Sequence, residues 1–220
     1  MCGRFSNTLT WLEIVELLSL AENHPPMSIE KNTNISPKQN IAFSCINEHG
    51  NRIVTHGLWS LVPSWIKEIP QYPTFNARSE TAAEKPTFRG SFRHKRCLIP
   101  ANGYYEWEKL KNNKKQPWFI HLESNAPFCF AGLWDYNDYF GTVSCTILTT
   151  HSVPHIAHIH GRMPIILSPF VFSDWLNPAT KTEEVKKILG TNENNSLLFS
   201  EADKSIFLKK TPKGPDLLNL

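Results

Sequence analysis

The sequence opens Met1-Cys2-Gly3-Arg4, and position 2 is where its chemistry could start. A small second residue lets methionine aminopeptidase remove Met1, which would leave Cys2 with a free α-amine beside its thiol. Such a 1,2-aminothiol condenses with an aldehyde to an imine, and the sulfur then closes a thiazolidine ring. Reference pKa values of about 8 for the amine and about 8.5 for the thiol leave a usable fraction of each nucleophile at neutral pH. Read alone, Cys2 is more simply a small residue in a disordered start.

Three further stretches carry groups that could act with it. Asn76-Ala77-Arg78-Ser79-Glu80-Thr81 opens a stretch that reads as helix over 76–85, with Pro86 as its stop. A helix N-terminus favours anions, and Arg78 there could fork onto a phosphate, although an N-cap Asn with a surface Arg reads equally well. Gly103-Tyr104-Tyr105-Glu106-Trp107-Glu108 sets a carboxylate among aromatics. Strand alternation puts Glu106 on the face of Tyr104 and Glu108, with Tyr105 and Trp107 opposite. An apolar setting raises a carboxyl pKa and suits proton transfer. The simpler reading is an edge Glu paired with Lys109 or Lys111. His160-Gly161-Arg162-Met163-Pro164 brings an imidazole and a guanidinium to the start of a strand, or merely a histidine to a turn.

Other features are less specific. Trp59 reads as core, whereas Trp65, after Pro63 in a polar stretch, reads as a rim residue on which a base could stack. Residues 88–96, Phe-Arg-Gly-Ser-Phe-Arg-His-Lys-Arg, form the most basic run, which is usually a solvated face. His151, His155, His158 and His160 invite a metal reading, but Pro154 interrupts the first pair and no nearby Cys, Asp or Glu completes a ligand set, so no metal is expected.

These groups need a frame. The chain has 220 residues, 40% hydrophobic and 20% charged, enough for one large domain with a substantial core. A net charge of +3 does not announce nucleic-acid binding by itself. The five cysteines lack a CxxC pair, and Cys45, Cys97, Cys129 and Cys145 sit among apolar residues, as reduced core cysteines of a cytosolic protein do. No signal peptide or membrane-spanning run is found, which points to a cytoplasmic protein. A helix is expected over 8–20, a turn at 34–37 and a hairpin of 41–46 with 53–58 about Gly50. Strands are expected at 98–100, 103–107, 118–122, 128–133, 143–149 and 163–167, and helices at 170–176 and 183–189. The basic, proline-rich stretch 209–215 reads as a loosely held arm. The expected fold class is α+β: a single compact β-rich domain over 1–220, with central, mostly antiparallel, barrel-like sheets flanked by short helices.

In four stretches, Met1-Cys2-Gly3-Arg4-Phe5, Asn76 to Thr81, Gly103 to Trp107 and His160 to Pro164, the sequence resembles the SRAP (SOS-response-associated peptidase) family, in that family's order and at roughly its spacing. The resemblance is clearest over 1–176, and the tail from about residue 207 diverges. It implies a protein of the DNA damage response that senses abasic sites in single-stranded DNA and captures them as a thiazolidine on Cys2. Carried over by position, Asn76 orients the Cys2 amine, Glu106 moves protons and His160 helps open the sugar ring. Arg4, Arg78 and Arg162 meet phosphates, Trp65 stacks, and Thr149 lies near the site. The same resemblance implies no cofactor, no membrane partner, a monomer, association with the nucleoid when bound to DNA, and lyase or autopeptidase activity.

Two departures stand out. Ser60 occupies a position where the family commonly has Gly, and Gly161 one where an Asp commonly separates the His from the Arg. Two other function classes remain open on sequence: an N-terminal-nucleophile thiol peptidase using Cys2, and a non-catalytic single-stranded-DNA binding module using Trp65 and the basic run.

Overall fold

The computed structural model describes residues 2–20, 25–111, 114–191 and 194–208. Met1 and the arm at 209–215 lie outside them. In chain order the strands are β1 (Arg4–Asn7), β2 (Asn32–Ile35), β3 (Asn40–Ile46), β4 (Arg52–Trp59), β5 (Asn76–Arg78), β6 (Arg96–Ala101), β7 (Gly103–Lys109), β8 (Lys115–Leu122), β9 (Phe128–Asn137), β10 (Thr142–His151), β11 (Arg162–Pro164), β12 (Ile166–Leu167) and β13 (Leu197–Glu201). The α-helices are α1 (Trp11–Leu18), α2 (Ser79–Ala82), α3 (Pro86–His94), α4 (Phe172–Leu176) and α5 (Thr182–Gly190).

Two sheets result. One is wholly antiparallel, in the order β13-β8-β7-β1-β2. In the other, β10 pairs with β4 in parallel, β4 with β3, β3 with β6, β6 with β9, and β9 with β10 again, which closes a ring. Strands β11, β12 and β5 extend it. Closure removes exposed edges, and the expected antiparallel, barrel-like, β-rich α+β fold is the fold observed.

The period of two along these strands sorts residues into two cores. Cys97, Ile99, Phe43 and Ile147 join Phe5, Tyr104 and Cys2 in one apolar cluster, while Leu98, Ala42, Val54 and Leu148 pack with α1, α4 and α5 in the other. The four cysteines expected in the core are all buried and free.

Several elements differ from expectation. The chain start is not disordered: β1 lies between β2 and β7, and Cys2 is fully buried. Strand β2 takes up residues 34 and 35 of the extended turn expected at 34–37, and the turn itself runs on from Ser36, whose carbonyl accepts from Gln39 N–H at 3.3 Å. Residues 76–78 are strand rather than helix, because their backbone pairs in parallel with Ile147, Leu148 and Thr149 of β10. Pro86 does not end a helix; it starts α3, where a missing N–H costs nothing. The basic run is mostly α3, on which Arg89, Arg93 and His94 are exposed as on a solvated face, but its last residue, Arg96, is buried. There its guanidinium donates to the carbonyls of Trp175 at 2.6 Å, Phe92 at 2.8 Å, Arg93 at 2.5 Å and Asn177. The helix expected at 8–20 is the shorter α1, begun by a Thr10–Glu13 capping box and ended by Ser19 in the left-handed region at φ 48°.

Candidate functional site

Cys2 reaches the interior because β1 is threaded between two neighbours. Phe5 faces Tyr104 and Arg4 faces Tyr105 across the β1–β7 ladder, which continues toward Gly3 and Cys2 on one side and Glu106 on the other. The thiol lies 3.9 Å from the Arg4 carbonyl. Asn76, on β5 of the other sheet, donates its Nδ2 to the Cys2 carbonyl at 2.7 Å. Its Oδ1 is buried and has no hydrogen-bond partner among the described residues. The short strand β5 is thus what aims Asn76 at Cys2, a job that a helix N-terminus was expected to do.

Glu106 and Tyr104 occupy the inner face of β7, at 4% and 0% exposure, and β7 lies between β1 and β8, so Glu106 is a buried residue and not one on an edge strand. On the outer face Tyr105 and Trp107 are covered by Phe207, with ring centroids 5.1 Å away in each case. The alternation expected for this strand is therefore present. Burial first, and the Glu106 carboxylate second, push the Cys2 thiol far above its ordinary range. Burial, with the charges of Cys2 and Glu106, does the same to the Tyr104 hydroxyl. These three groups share one poorly solvated space in which a negative charge on any of them is felt by the others.

His160 ends a loop whose Ile156 and Ile159 pack into the same apolar cluster as Cys2. Ser152 closes the loop by donating to the His160 carbonyl at 2.6 Å. The His160 Nδ1 sits 2.9 Å from the Arg162 N–H, which donates to it, and 3.0 Å from the Arg162 carbonyl. A neutral ring accepts from the first group and a protonated ring donates to the second, so this geometry accommodates both states.

Arg162 is held on three sides. Its Nη1 donates to Glu80 Oε1 at 2.7 Å, and its Nη2 to Glu80 Oε2 at 2.9 Å and to the Thr149 carbonyl at 2.7 Å. Thr149 is fully buried, with its hydroxyl 3.2 Å from Nη2. It therefore supports Arg162 from inside and has no surface on which to meet DNA directly. Arg4, half-buried, donates to Asn34 Oδ1 at 2.5 Å, and burial pulls its pKa down. Arg78 is exposed on β5 and Trp65 is 64% exposed, while Trp59 is fully buried.

The sequence reading did not single out Glu80, Tyr104 or Asn34. Glu80 lies within Asn76-Ala77-Arg78-Ser79-Glu80-Thr81, two residues after Arg78, and its charge is the available signal. The departure at Ser60 is absorbed locally, since its hydroxyl lies 3.0 Å from that of Thr74, two residues before Asn76. The histidines disperse: His155 Nε2 lies 2.9 Å from the Leu197 carbonyl, His158 packs on Phe199, and His151 is exposed 3.7 Å from Glu80.

The profile of the family described as SOS response associated peptidase (SRAP) matches residues 1–207. The chain belongs to the SRAP family. The match runs past residue 176, where the sequence motifs thin out, and stops where the tail diverges. Among SRAP relatives, the abasic site processing protein YoaM of Bacillus subtilis is 38% identical over 182 residues, 81% of this chain and 80% of that protein. The abasic site processing protein YedK of Escherichia coli is 28% identical over 194 residues, covering 86% of this chain and 85% of its own. A crystal structure of a protein from Bacteroides thetaiotaomicron superposes with a TM-score of 0.80 at 24% identity, over 99% of this chain and 98% of that one, and so shares the SRAP fold. Among the described residues no helix is long and apolar enough to cross a membrane.

Proposed function

We propose that this SRAP protein processes abasic sites in single-stranded DNA by covalent capture on Cys2, once Met1 has been removed. The observation that carries the reading is the 2.7 Å hydrogen bond from Asn76 to the carbonyl of a free, fully buried cysteine at the second position. Removal of Met1 turns the amide nitrogen of Cys2 into an amine, and the Asn76 Oδ1 is an acceptor that could fix its direction. The names of the SRAP relatives agree with such a substrate.

The steps balance with the groups at hand. Protonated His160 gives its proton to the ring oxygen of the abasic sugar as the bond from that oxygen to the anomeric carbon breaks, and the anomeric hydroxyl returns a proton to the imidazole as the aldehyde forms. The neutral amine of Cys2 adds to the aldehyde carbon, and water leaves as the imine forms. The thiol then adds across the C=N bond, its proton passing to nitrogen, so the net change is aminothiol plus aldehyde to thiazolidine plus water. Glu106 supplies and recovers protons between these steps. Because burial and Glu106 keep the thiol protonated, the amine reacts first and the sulfur is spent on ring closure.

Binding follows from the surroundings. Arg4 and Arg78 supply positive charge for phosphates, and Trp65 offers an exposed indole for stacking beside the lesion. A single strand suits a buried nucleophile because the abasic sugar must leave the line of bases to reach it.

Intact-mass measurement before and after exposure to an abasic single-stranded oligonucleotide tests the proposal. Protein lacking Met1 should gain the mass of the oligonucleotide less one water, and Cys2→Ala should gain nothing while still binding non-covalently. Processed wild-type protein that gains no mass would overturn the capture mechanism.

A further inference from the structure

Residues 61–66 follow β4 without pairing to any described strand, yet side chains of the β9–β10 hairpin hold their backbone. Ser144 Oγ accepts from Val62 N–H at 2.8 Å and lies 3.4 Å from its carbonyl. Asp135 Oδ2 accepts from Ser64 N–H at 2.8 Å. Asn137 Nδ2 donates to the carbonyls of Pro63 at 2.7 Å and Ile66 at 2.9 Å, which closes the turn on both sides of Trp65.

The socket is built rather than incidental. Ser144 lies directly opposite Asp135 across the ladder, and Asn137 follows on the same face of β9. Their exposures are 0%, 6% and 0%, so each polar group has been taken out of water for these bonds. Asp135 is braced in turn, its Oδ1 accepting from Lys95 Nζ at 2.6 Å and from Tyr136 N–H at 2.9 Å. Asn137 Oδ1 accepts from Phe140 N–H at 2.9 Å. At the tip of this fixed turn stands an indole that is 64% exposed.

We propose that Asp135, Asn137 and Ser144 are positioning residues that hold the Trp65 turn in its DNA-stacking conformation before DNA arrives. The inference rests on the stacking role given to Trp65 under the proposed function. A turn of this length would otherwise be ordered during binding, at the expense of affinity. Held by the hairpin, it meets the strand already in place, and the order is supplied by folding.

The test uses full-length Cys2→Ala protein and a single-stranded oligonucleotide carrying a tetrahydrofuran abasic analogue. Trp65→Ala should weaken binding about ten-fold. Asn137→Ala should weaken it about five-fold and Ser144→Ala by less. Combined with Trp65→Ala, neither should weaken it more than about two-fold further, because the two residues act through one indole. In protein with Cys2 intact, Ser144→Ala should raise the half-saturating DNA concentration and leave the maximal crosslinking rate unchanged. If Trp65→Ala binds normally, the stacking role fails and this inference with it. If Trp65→Ala weakens binding but Asn137→Ala and Ser144→Ala, both folded by thermal melting, do not, the positioning role alone fails. Additive losses in the double variants overturn it as well.

Discussion

Arg162 grips both carboxylate oxygens of Glu80, at 2.7 and 2.9 Å, so an arginine placed among the phosphate contacts by sequence is already paired within the protein. The fork is bidentate and braced from behind by Thr149, so it is more than a loose surface pair. DNA phosphate would have to share or displace Glu80 to use this guanidinium.

Glu80→Gln should therefore free positive charge. In Cys2→Ala protein it is expected to strengthen single-strand binding and steepen its salt dependence by about 0.7 in the log–log slope. An unchanged slope would mean that Arg162 faces no phosphate. Burial alone would raise the Glu80 carboxyl, but Arg162 first, then the residue's own backbone N–H and, least, His151 outweigh it and hold the group below its ordinary range. Its folded pKa thus lies under an unfolded value of about 4.3, so the pair's contribution to stability is present above that pH and fades as pH falls through the folded value. Thermal melts of wild type and Glu80→Gln should converge as pH drops below about 4.

Glu106→Gln separates two effects of one carboxylate. Loss of proton transfer should slow adduct formation by about 10²–10⁴-fold. Loss of its charge should lower the Cys2 thiol pKa, since Glu106 helps to raise it, and speed alkylation of Cys2 by a small neutral reagent at pH 8. If adduct formation keeps its rate, Glu106 has no part in proton transfer.

Gly161 has nothing within 4 Å of where a Cβ would stand, so Gly161→Asp can be made without crowding. A carboxylate there would place a negative charge beside the proposed proton donor and should carry crosslinking activity to higher pH, with stability within about 0.5 kcal/mol. Superimposable pH–rate profiles would show that this position does not tune the histidine.

The buried thiols predict alkaline weakness. Burial pushes Cys45 up to about 12 and also holds Cys97, Cys129 and Cys145 well above the ordinary thiol range. Unfolded thiols ionise near pH 8.5, so the folded state holds protons that the unfolded state releases. Stability is full below that value and falls as pH rises toward the folded pKa, by up to about 1.4 kcal/mol per pH unit for each thiol. Melting temperature should drop between pH 8 and 10, and less steeply in Cys145→Ala. A drop of equal slope in both proteins would assign it to other groups.

A Cβ on Gly103 would lie 2.3 Å from Phe119 Cζ and 2.8 Å from the Ile120 carbonyl, at the head of the strand that bears Tyr104 and Glu106. Gly103→Ala should cost about 1–3 kcal/mol in denaturant melts and slow capture by displacing Glu106. Wild-type stability would show that β7 gives way without consequence.

The strands of the ring were legible because their apolar residues are dense and bounded by turns, and β3 with β4 could be placed almost to the residue about Gly50. The inner face of β7 was legible too, because alternation alone puts Glu106 beside Tyr104. What local pattern could not show was pairing over distance. Ala77, Ala82 and Ala83 argue for helix, and only the ladder with β10, some seventy residues away, makes Asn76–Arg78 a strand aimed at Cys2. β1 and β2 are short and carry no clear alternation, so Cys2 looked like part of a loose end. Arg96 belonged by charge to a solvated run, and its four carbonyl partners come from α3 and from a segment some eighty residues later in the chain. Glu80 shows the same limit: a carboxylate two residues from Arg78 suggested nothing about Arg162.

The threading of β1 also sets an order of events during synthesis. Its neighbour β7 ends at Lys109, so about a hundred residues must be added after Cys2 before the ladder that buries it can close. At about 5–20 residues per second this leaves on the order of 5 to 20 s in which the N-terminus is open to an aminopeptidase. Once the strand is seated, the same bond lies beside a fully buried residue. On the capture mechanism proposed above, removal of Met1 would belong to this window, and unprocessed chains refolded from denaturant would close around an amide that cannot form an imine.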